Sequence, residues 1–327
     1  MRKTYSFWEP DETLYLIDQY NAGVMIAPIA IELGRNIGSL SRKLDDLAVR
    51  GTVTRRDNTH IGLRAVIRRF EPPTREYNEC LYLTGDAMSL SDSHLPYHSE
   101  SVFAHAIAIG KKYLKKPRQL ILNGDFLNLD GFSKYVTGYR GLKNTMQELN
   151  CATRMLKRLL ETFDKIYWSQ GNHEDRLLTQ LGGSITASTF LKMITTAEIE
   201  RHVIFSDYPY VILNDTWRIT HPKNYSGRGG QVPSAIADIN DMNVVGGHTH
   251  AWGMQTSVNG KHLAIDQGLS ADPVKLEYHA KGETTNRAWN QGFTLYLNNH
   301  AYLFSERFTD WNFWLKKVSL KKEPRRK

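Results

Sequence analysis

The sequence predicts a layered α/β domain with two sheets, preceded by a small all-α trihelical module. Three observations carry this reading. From Cys80 onward short apolar runs alternate with amphipathic stretches, two strand pairs close the chain, and helical periodicity fills the region ahead of Glu71-Pro72-Pro73. Paired prolines end helices, so 71–79 reads as a linker. It divides a module at 1–70 from a larger domain at 80–312, and a basic tail follows at 313–327.

Within the module, Pro10 opens a helix that puts Leu14, Ile17 and Tyr20 on one face and stops at Asn21-Ala22-Gly23. A second helix runs from about Ile26 to Leu33 and ends at Gly34. The third starts near Ser39, carries Leu40, Leu44 and Leu47 at i, i+4 and i+7, and stops before Gly51. Three short helices with a glycine turn between the last two form a helix-turn-helix pattern, whose third helix enters the major groove. Ser39, Arg42 and Lys43 on its polar face are the candidate DNA contacts. The stretch from Trp8-Glu-Pro-Asp-Glu12 through Ile29-Ala30, Leu33-Gly34-Arg35 and on to Leu47 also resembles Myb-like helix-turn-helix domains. Glu9 stands where such domains usually have Ser or Thr, and is a poorer N-cap.

In the larger domain, strands are expected at Leu81–Thr84, Ala87–Leu90, Leu120–Leu122, Ile166–Trp168, Tyr210–Leu213, Trp217–Thr220 and Val244–Val245. Helices are expected at Ser101–Lys115, Met146–Phe163 and Pro233–Asp241. Gln255–Val258 and His262–Ile265 flank Asn259-Gly260, the signature of a type I′ hairpin. Phe293–Leu297 with Tyr302–Phe308 forms a second hairpin.

Composition narrows the function classes. The formal charge of +8 is concentrated: Arg35 to Arg69 holds nine Lys or Arg against three acids, and Leu315 to Lys327 seven against one. Two cysteines, Cys80 and Cys151, rule out a disulfide framework and fit a reducing compartment. The longest apolar run, Val24 to Ile31, contains Pro28 and is far short of the roughly 20 residues of a membrane helix. The chain opens without the apolar stretch of an export signal, so a cytoplasmic protein with no membrane partner is expected.

Five polar clusters each follow a predicted strand: Asp92-Ser93-His94, Asn123-Gly124-Asp125, Gly171-Asn172-His173-Glu174, Thr220-His221-Pro222 and Gly246-Gly247-His248-Thr249-His250. Loops at strand C-termini of α/β sheets converge on one crevice, so these clusters can meet. Together they offer two carboxylates, one amide and four imidazoles beside a further imidazole, and no thiolate. Such oxygen and nitrogen donors suit Mn²⁺, Fe²⁺, Zn²⁺, Ni²⁺ or Co²⁺. Seven donors exceed one tetrahedral ion, whereas two ions about 3.5 to 4 Å apart sharing a carboxylate account for the number and clamp a phosphoester. Asp86 competes with Asp92 for the first position, but only Asp92 has a histidine two residues on.

Asp-x-His, Gly-Asp, Gly-Asn-His-Glu, His and Gly-His-x-His, in this order, resemble the calcineurin-like metallophosphoesterases over about Leu81 to Phe308. The resemblance implies a four-layer α/β/β/α sandwich and two divalent metal ions, Mn²⁺ foremost. It implies that Asp92, His94 and His250 hold the first ion, that Asn172, His221 and His248 hold the second, and that Asp125 bridges them. His173 would stay off the metals as the candidate acid. Asn128 stands where many relatives have an Asp that orients this histidine; it can hydrogen-bond but carries no charge. Arg176 is a candidate phosphate contact through its guanidinium fork, and His98 lies outside the expected ligand set.

By that resemblance His94 favours phosphodiesters over monoesters, and a basic helix-turn-helix beside a two-metal hydrolase points to nucleic acid as substrate or ligand. Two alternatives stand beside this reading. One is a phosphoesterase for a cyclic nucleotide, nucleotide or phosphoprotein with an oligomerising module, and the other a DNA-binding regulator with a non-catalytic phosphoesterase fold. Compact fusion of such parts suits a phage or mobile element acting in the host cytoplasm. No motif sets an oligomeric state.

Overall fold

Residues 8–54, 80–132, 145–180, 187–276 and 289–316 are described by the computed structural model. The chain divides into two compact units, Met1–Arg75 and Glu76–Lys327. The linker expected at 71–79, the basic residues of 55–69 and the tail from 317 onward lie outside the described residues.

The first unit contains α1 (Pro10–Asn21), α2 (Ile26–Glu32) and α3 (Ile37–Val49). Its core is built from Leu16, Tyr20, Ile29, Ala30, Leu40, Leu44, Leu47 and Val53. The inward row of α1 thus differs from the expected one. With apolar residues at 14, 15, 16, 17 and 20, periodicity alone leaves the row undetermined; the one-turn pair Leu16 and Tyr20 is buried, while Leu14 is 58% exposed. Helix α3 begins two residues earlier than expected, because Asn36 caps it by accepting from the Ser39 N–H at 2.7 Å. At the start of α1, the Glu12 carboxylate accepts from the Glu9 N–H at 3.2 Å.

The second unit is mixed α/β with two six-stranded sheets. Its strands are β1 (Leu81–Leu83), β2 (Ala87–Leu90), β3 (Gln119–Asn123), β4 (Lys165–Ser169), β5 (Val203–Ser206), β6 (Tyr210–Leu213), β7 (Trp217–Thr220), β8 (Asn243–Gly246), β9 (Trp252–Thr256), β10 (Leu263–Gln267), β11 (Gly292–Leu297) and β12 (His300–Ser305). One sheet has the order β1-β6-β7-β8-β10-β9, with β7, β8 and β10 parallel. The other has the order β12-β11-β2-β3-β4-β5, with β2 to β5 parallel.

Alternation along the strands assigns each face. Ile121 and Tyr296 from one sheet meet Val211, Leu213, Trp217, Ile219, Val245 and Ile265 from the other in a shared core. Leu120, Leu122, Ile166, Trp168 and Leu295 turn the opposite way, beneath α4 (Glu100–Tyr113), α5 (Thr145–Leu160) and α7 (Ala187–Ile194). Helix α9 (Gln231–Asn240) packs on β8, β9 and β10 of the first sheet. Helices therefore cover the outer faces of a facing pair of sheets.

Several local expectations need correction. The hairpin of β9 and β10 pairs Thr256 with Leu263, leaving a six-residue loop at 257–262. Only Gly260 there has positive φ, so the turn is not type I′. The two-residue loop with positive φ at both positions, Asn298 at 48° and Asn299 at 67°, joins β11 to β12. Strand β5 was not expected, since Val203-Ile204-Phe205-Ser206 is short and carries no Gly or Pro marker. Neither were α6 (Asn172–Gln180), α8 (Ala197–Glu200) and α10 (Trp311–Leu315). Trp311, Trp314 and Leu315 pack on the second-sheet core, so packed structure runs past the expected limit at 312. Among the described residues, no helix is long and apolar enough to cross a membrane.

Candidate metal centre

Asp92 and His94 follow β2, Asp125 follows β3, and Asn172 with His173 opens α6 just after β4. Because β2, β3 and β4 are parallel, their C-terminal ends share one edge. His221 follows β7, and His248 and His250 follow β8, again a parallel pair. The two edges are tied together by Asn123, whose side-chain amide donates to the Thr220 carbonyl at 2.9 Å. Its own carbonyl accepts from Nδ1 of His221 at 2.9 Å.

The fold thus brings together donors far apart in sequence. Asp92, His94 and His250 form one group whose donor atoms lie within 4.8 Å of one another; Asp125, His221 and His248 form a second. A third, His94, Asp125 and His173, puts Asp125 within reach of both sides. Asn172 joins the second group, its Oδ1 3.1 Å from Nε2 of His221. Asp92, His94, Asp125, His248 and His250 all have positive φ, between 45° and 73°. Such backbone costs about 1–3 kcal/mol per residue and persists only where the surroundings impose it.

Two glycines make the approach possible. A Cβ at Gly171 would lie 2.2 Å from the Asp125 backbone nitrogen, and one at Gly247 would lie 2.0 Å from Ser91 Oγ. Neither loop could close with a larger residue.

The electrostatics follow from buried acids facing buried imidazoles. Burial works against the charge on Asp92, yet His221 and His250 hold its carboxyl down at about 2. Asp125 lies well below the usual carboxylate range, with His173 and His221 outweighing its burial. Burial likewise opposes charge on His221, but Asp125 and Asp92 push it up to about 10. His248 is lowered to about 4 and His94 is also lowered, in both cases chiefly by burial.

The donor chemistry fits divalent cations. Nε2 of His94 and Nε2 of His250 lie 3.1 Å apart, and Asp92 Oδ1 is 3.2 Å from the latter and 3.9 Å from the former. Three lone-pair atoms converging in this way exceed what a single shared proton satisfies. In the other group, His221 Nε2 sits 3.2 Å from Asp125 Oδ2, and Nδ1 donation to Asn123 leaves that Nε2 as the atom that could ligate a cation.

His173 stands at the junction. Its backbone N–H donates to Asp125 Oδ1 at 2.9 Å, and its Nε2 is 3.7 Å from Asp125 Oδ2. Nδ1 is hydrogen-bonded to the carbonyl of Asn128, so this position orients the ring through its backbone and not through the amide expected to do so. Burial lowers the His173 pKa, Asp125 works against that, and the guanidinium of Arg176 lowers it further. An Arg176 nitrogen is 3.4 Å from the ring.

In the second unit, Asp86 and His98 stand outside this cluster. Asp86 precedes β2, at the opposite end of the strand, and accepts from the Asn298 N–H at 2.8 Å. His98 contacts Glu100 at 2.9 Å. In the first unit Arg42 is exposed, while Ser39 and Lys43 are half-buried. The Lys43 ammonium lies 5.8 Å from the Trp8 ring centroid.

The sequence assigns no role to two residues that hold this geometry. Glu174 accepts from the N–H groups of Asp125, Leu127 and Gly171, each at 3.0 Å, and so clamps the β3 loop to the β4 loop. Burial and the neighbouring Asp125 push its carboxyl up to about 7, against the pull of those donors. Its place in Gly-Asn-His-Glu was the available signal. Asp266, at the end of β10, accepts from the Gly230 N–H at 2.7 Å and the Thr249 hydroxyl at 3.0 Å, bracing the His248–His250 loop. No local pattern marks it.

No protein-family model and no curated protein matches the sequence. Among solved structures, the chain is similar to the protein of unknown function AQ665 from Aquifex aeolicus, with 12% identity. That match covers 55% of this chain and 95% of the other at a TM-score of 0.26, too low to carry a structural argument.

Proposed function

We propose that this protein is a calcineurin-like metallophosphoesterase that hydrolyses phosphodiester bonds, with nucleic acid as substrate. Its second unit would be the family's four-layer sandwich and its first a DNA-binding helix-turn-helix. One observation carries the reading: seven donor side chains from five strand-end loops gather into two groups with Asp125 between them. Asp92, His94 and His250 would hold one divalent ion, Asn172, His221 and His248 the other, and Asp125 both. A pair of such ions, when bound, acidifies water and neutralises charge on a phosphoryl group.

The chain's own residues supply orientation and proton handling. Glu174 and Asn123 fix the loops that carry the donors, so the geometry is set before substrate arrives. With Nδ1 of His173 bonded to the Asn128 carbonyl, Nε2 is the atom left to hold a proton for a leaving alkoxide. That role requires the imidazolium form, which Asp125 favours and burial resists. Arg176 would meet a non-bridging oxygen of the substrate.

Metal analysis of the full chain, joined to a panel of mono- and diesters, tests this proposal. Two ions per chain and manganese-stimulated diester cleavage are expected, both lost in Asp125→Ala. Absence of hydrolysis under every metal loading would leave the regulator reading. A gel-shift titration over salt tests the nucleic-acid half. Binding should weaken steeply with salt, and Arg42→Ala should lower the slope by about one. No DNA affinity at low ionic strength would favour a small substrate.

A further inference from the structure

Two aromatic side chains outside the donor set pack on the candidate centre, one on a histidine of each donor group. Tyr225, in the loop between His221 and α9, packs edge-to-face on His248 with ring centroids 6.5 Å apart. It is 54% exposed. Trp289 packs edge-to-face on His250 at 4.3 Å and is half-buried. Backbone contacts hold it there: Ala251 and Trp289 form an isolated antiparallel bridge, and the Asn290 N–H donates to the His250 carbonyl at 3.2 Å. His248 belongs to one donor group and His250 to the other, so each ring marks one flank of the centre.

Tyr225 leaves about half of its surface in water beside His248. Its ring and that of Trp289 are amphipathic surfaces next to a site that would take a phosphate. Cationic groups accompany them: Lys223 is in the Tyr225 loop, its side chain 77% exposed and its ammonium 3.1 Å from Asp175 Oδ2, and Arg176 approaches His173. Aromatic faces beside positive charge are the arrangement that holds single-stranded nucleic acid, because every base has a π-face while the backbone is read by charge.

We propose that Tyr225 and Trp289 are the two walls of a nucleobase-binding subsite, one on each flank of the scissile phosphate. The substrate class is then a diester between nucleosides in a single strand. This rests on the phosphodiesterase reading above and narrows it. The rings act as positioning residues that bind the bases and leave the chemistry to the centre.

Calorimetric titration of the manganese-loaded full chain tests the subsite without turnover. The probes are a thymidine dinucleotide phosphorothioate and its counterpart lacking both bases. Wild type should bind the base-bearing probe at least about tenfold more tightly, the scale of stacking on an aromatic ring. Tyr225→Ala should remove most of that difference, and Tyr225→Phe should keep it. Trp289→Ala should act in the same sense and Trp289→Phe should retain most of the effect. In steady-state kinetics Tyr225→Ala should raise KM for an oligonucleotide while kcat and the hydrolysis of methyl p-nitrophenyl phosphate stay near wild type.

Equal affinity of wild type for the two probes would overturn the subsite, as would equal weakening of both by Tyr225→Ala, which would reduce the ring to a prop for His248. The outcomes for the enzyme are separate. If base-dependent binding is found and no diester is cleaved, the hydrolase reading fails and the subsite stands. If diesters are cleaved and the bases contribute nothing, the reverse holds.

Discussion

In the half of the centre built from Asp125, Asn172, His221 and His248, the His221 ring is anchored through Nδ1 on the Asn123 carbonyl, 2.9 Å away. In the half built from Asp92, His94 and His250, Nδ1 of both imidazoles is buried without a hydrogen-bond partner among the described residues. They are oriented there by ring packing, His94 against His173 at 4.7 Å and His250 against Trp289 at 4.3 Å, and by Nε2 contacts with each other and of His250 with Asp92. Outer hydrogen bonds to ligating imidazoles fix the tautomer and raise ligand basicity. The anchored half would therefore be the better-prepared ion site, and the packed half the more adaptable one.

Removing the residue common to both halves is the strongest way to break that comparison. Asp125→Ala should abolish the difference by abolishing both sites, with a loss of the proposed diesterase activity of about a thousandfold or more, as expected when several kcal/mol of metal-derived stabilisation disappear. Retained binding of two ions, read by elemental analysis, would show that Asp125 bridges nothing.

Next in size is Gly171→Ala, whose Cβ would collide with the backbone of Asp125. It should lower stability by about 1–3 kcal/mol or more and weaken the anchored half, because the β3 and β4 loops must separate. A thermal melt with and without manganese checks this; an unchanged melting temperature would show that the loops have slack.

Splitting the two halves sharpens the comparison. Manganese titration should resolve two steps, differing by about 10- to 100-fold, the usual weight of an outer hydrogen bond on metal affinity. His94→Ala should delete the weaker step and spare the tighter one, whereas His221→Ala should delete the tighter. Reversal of that order would mean that anchoring does not set affinity.

Much of this site was legible before any coordinates existed, because donor identity is written in short motifs placed directly after strands. The rule that such loops converge brings the clusters of Asp92, Asp125, Asn172, His221, His248 and His250 together, while their division between two ions is what the family resemblance implies. What the sequence left dark were contacts whose partner is a backbone group brought near by the fold. The Glu174 clamp uses three N–H donors, and the Asn128 contact with His173 uses a carbonyl that any residue would offer. Asp266 is silent for the same reason. In the first unit, the rotation of α1 was hidden because its apolar residues crowd positions 14 to 17, so that only packing could select the buried row. The Asn259-Gly260 pair points to the wrong hairpin turn because register, fixed by the pairing of Thr256 with Leu263, overrides turn composition.

The smallest expected effect is on pH. Without metal, His221 is protonated up to about 10 and must release that proton to ligate, whereas His248, lowered to about 4, is already neutral. Manganese affinity of the anchored half should therefore rise by up to about tenfold per pH unit between about pH 6.5 and 8. The sign for stability is opposite. A histidine whose pKa is raised on folding stabilises the metal-free protein fully below its unfolded value of about 6.5 and loses that contribution as pH climbs through about 10. The metal-free melting temperature should thus fall over that window, and a His221→Gln variant should lack the fall.

Anomalous diffraction from crystals of the manganese-loaded chain reads the arrangement itself. Two peaks are predicted, about 3.5 to 4 Å apart, one among Asp92, His94 and His250, the other among Asn172, His221 and His248, with an Asp125 oxygen between them. One peak, or none within reach of these side chains, would contradict the two-ion assignment.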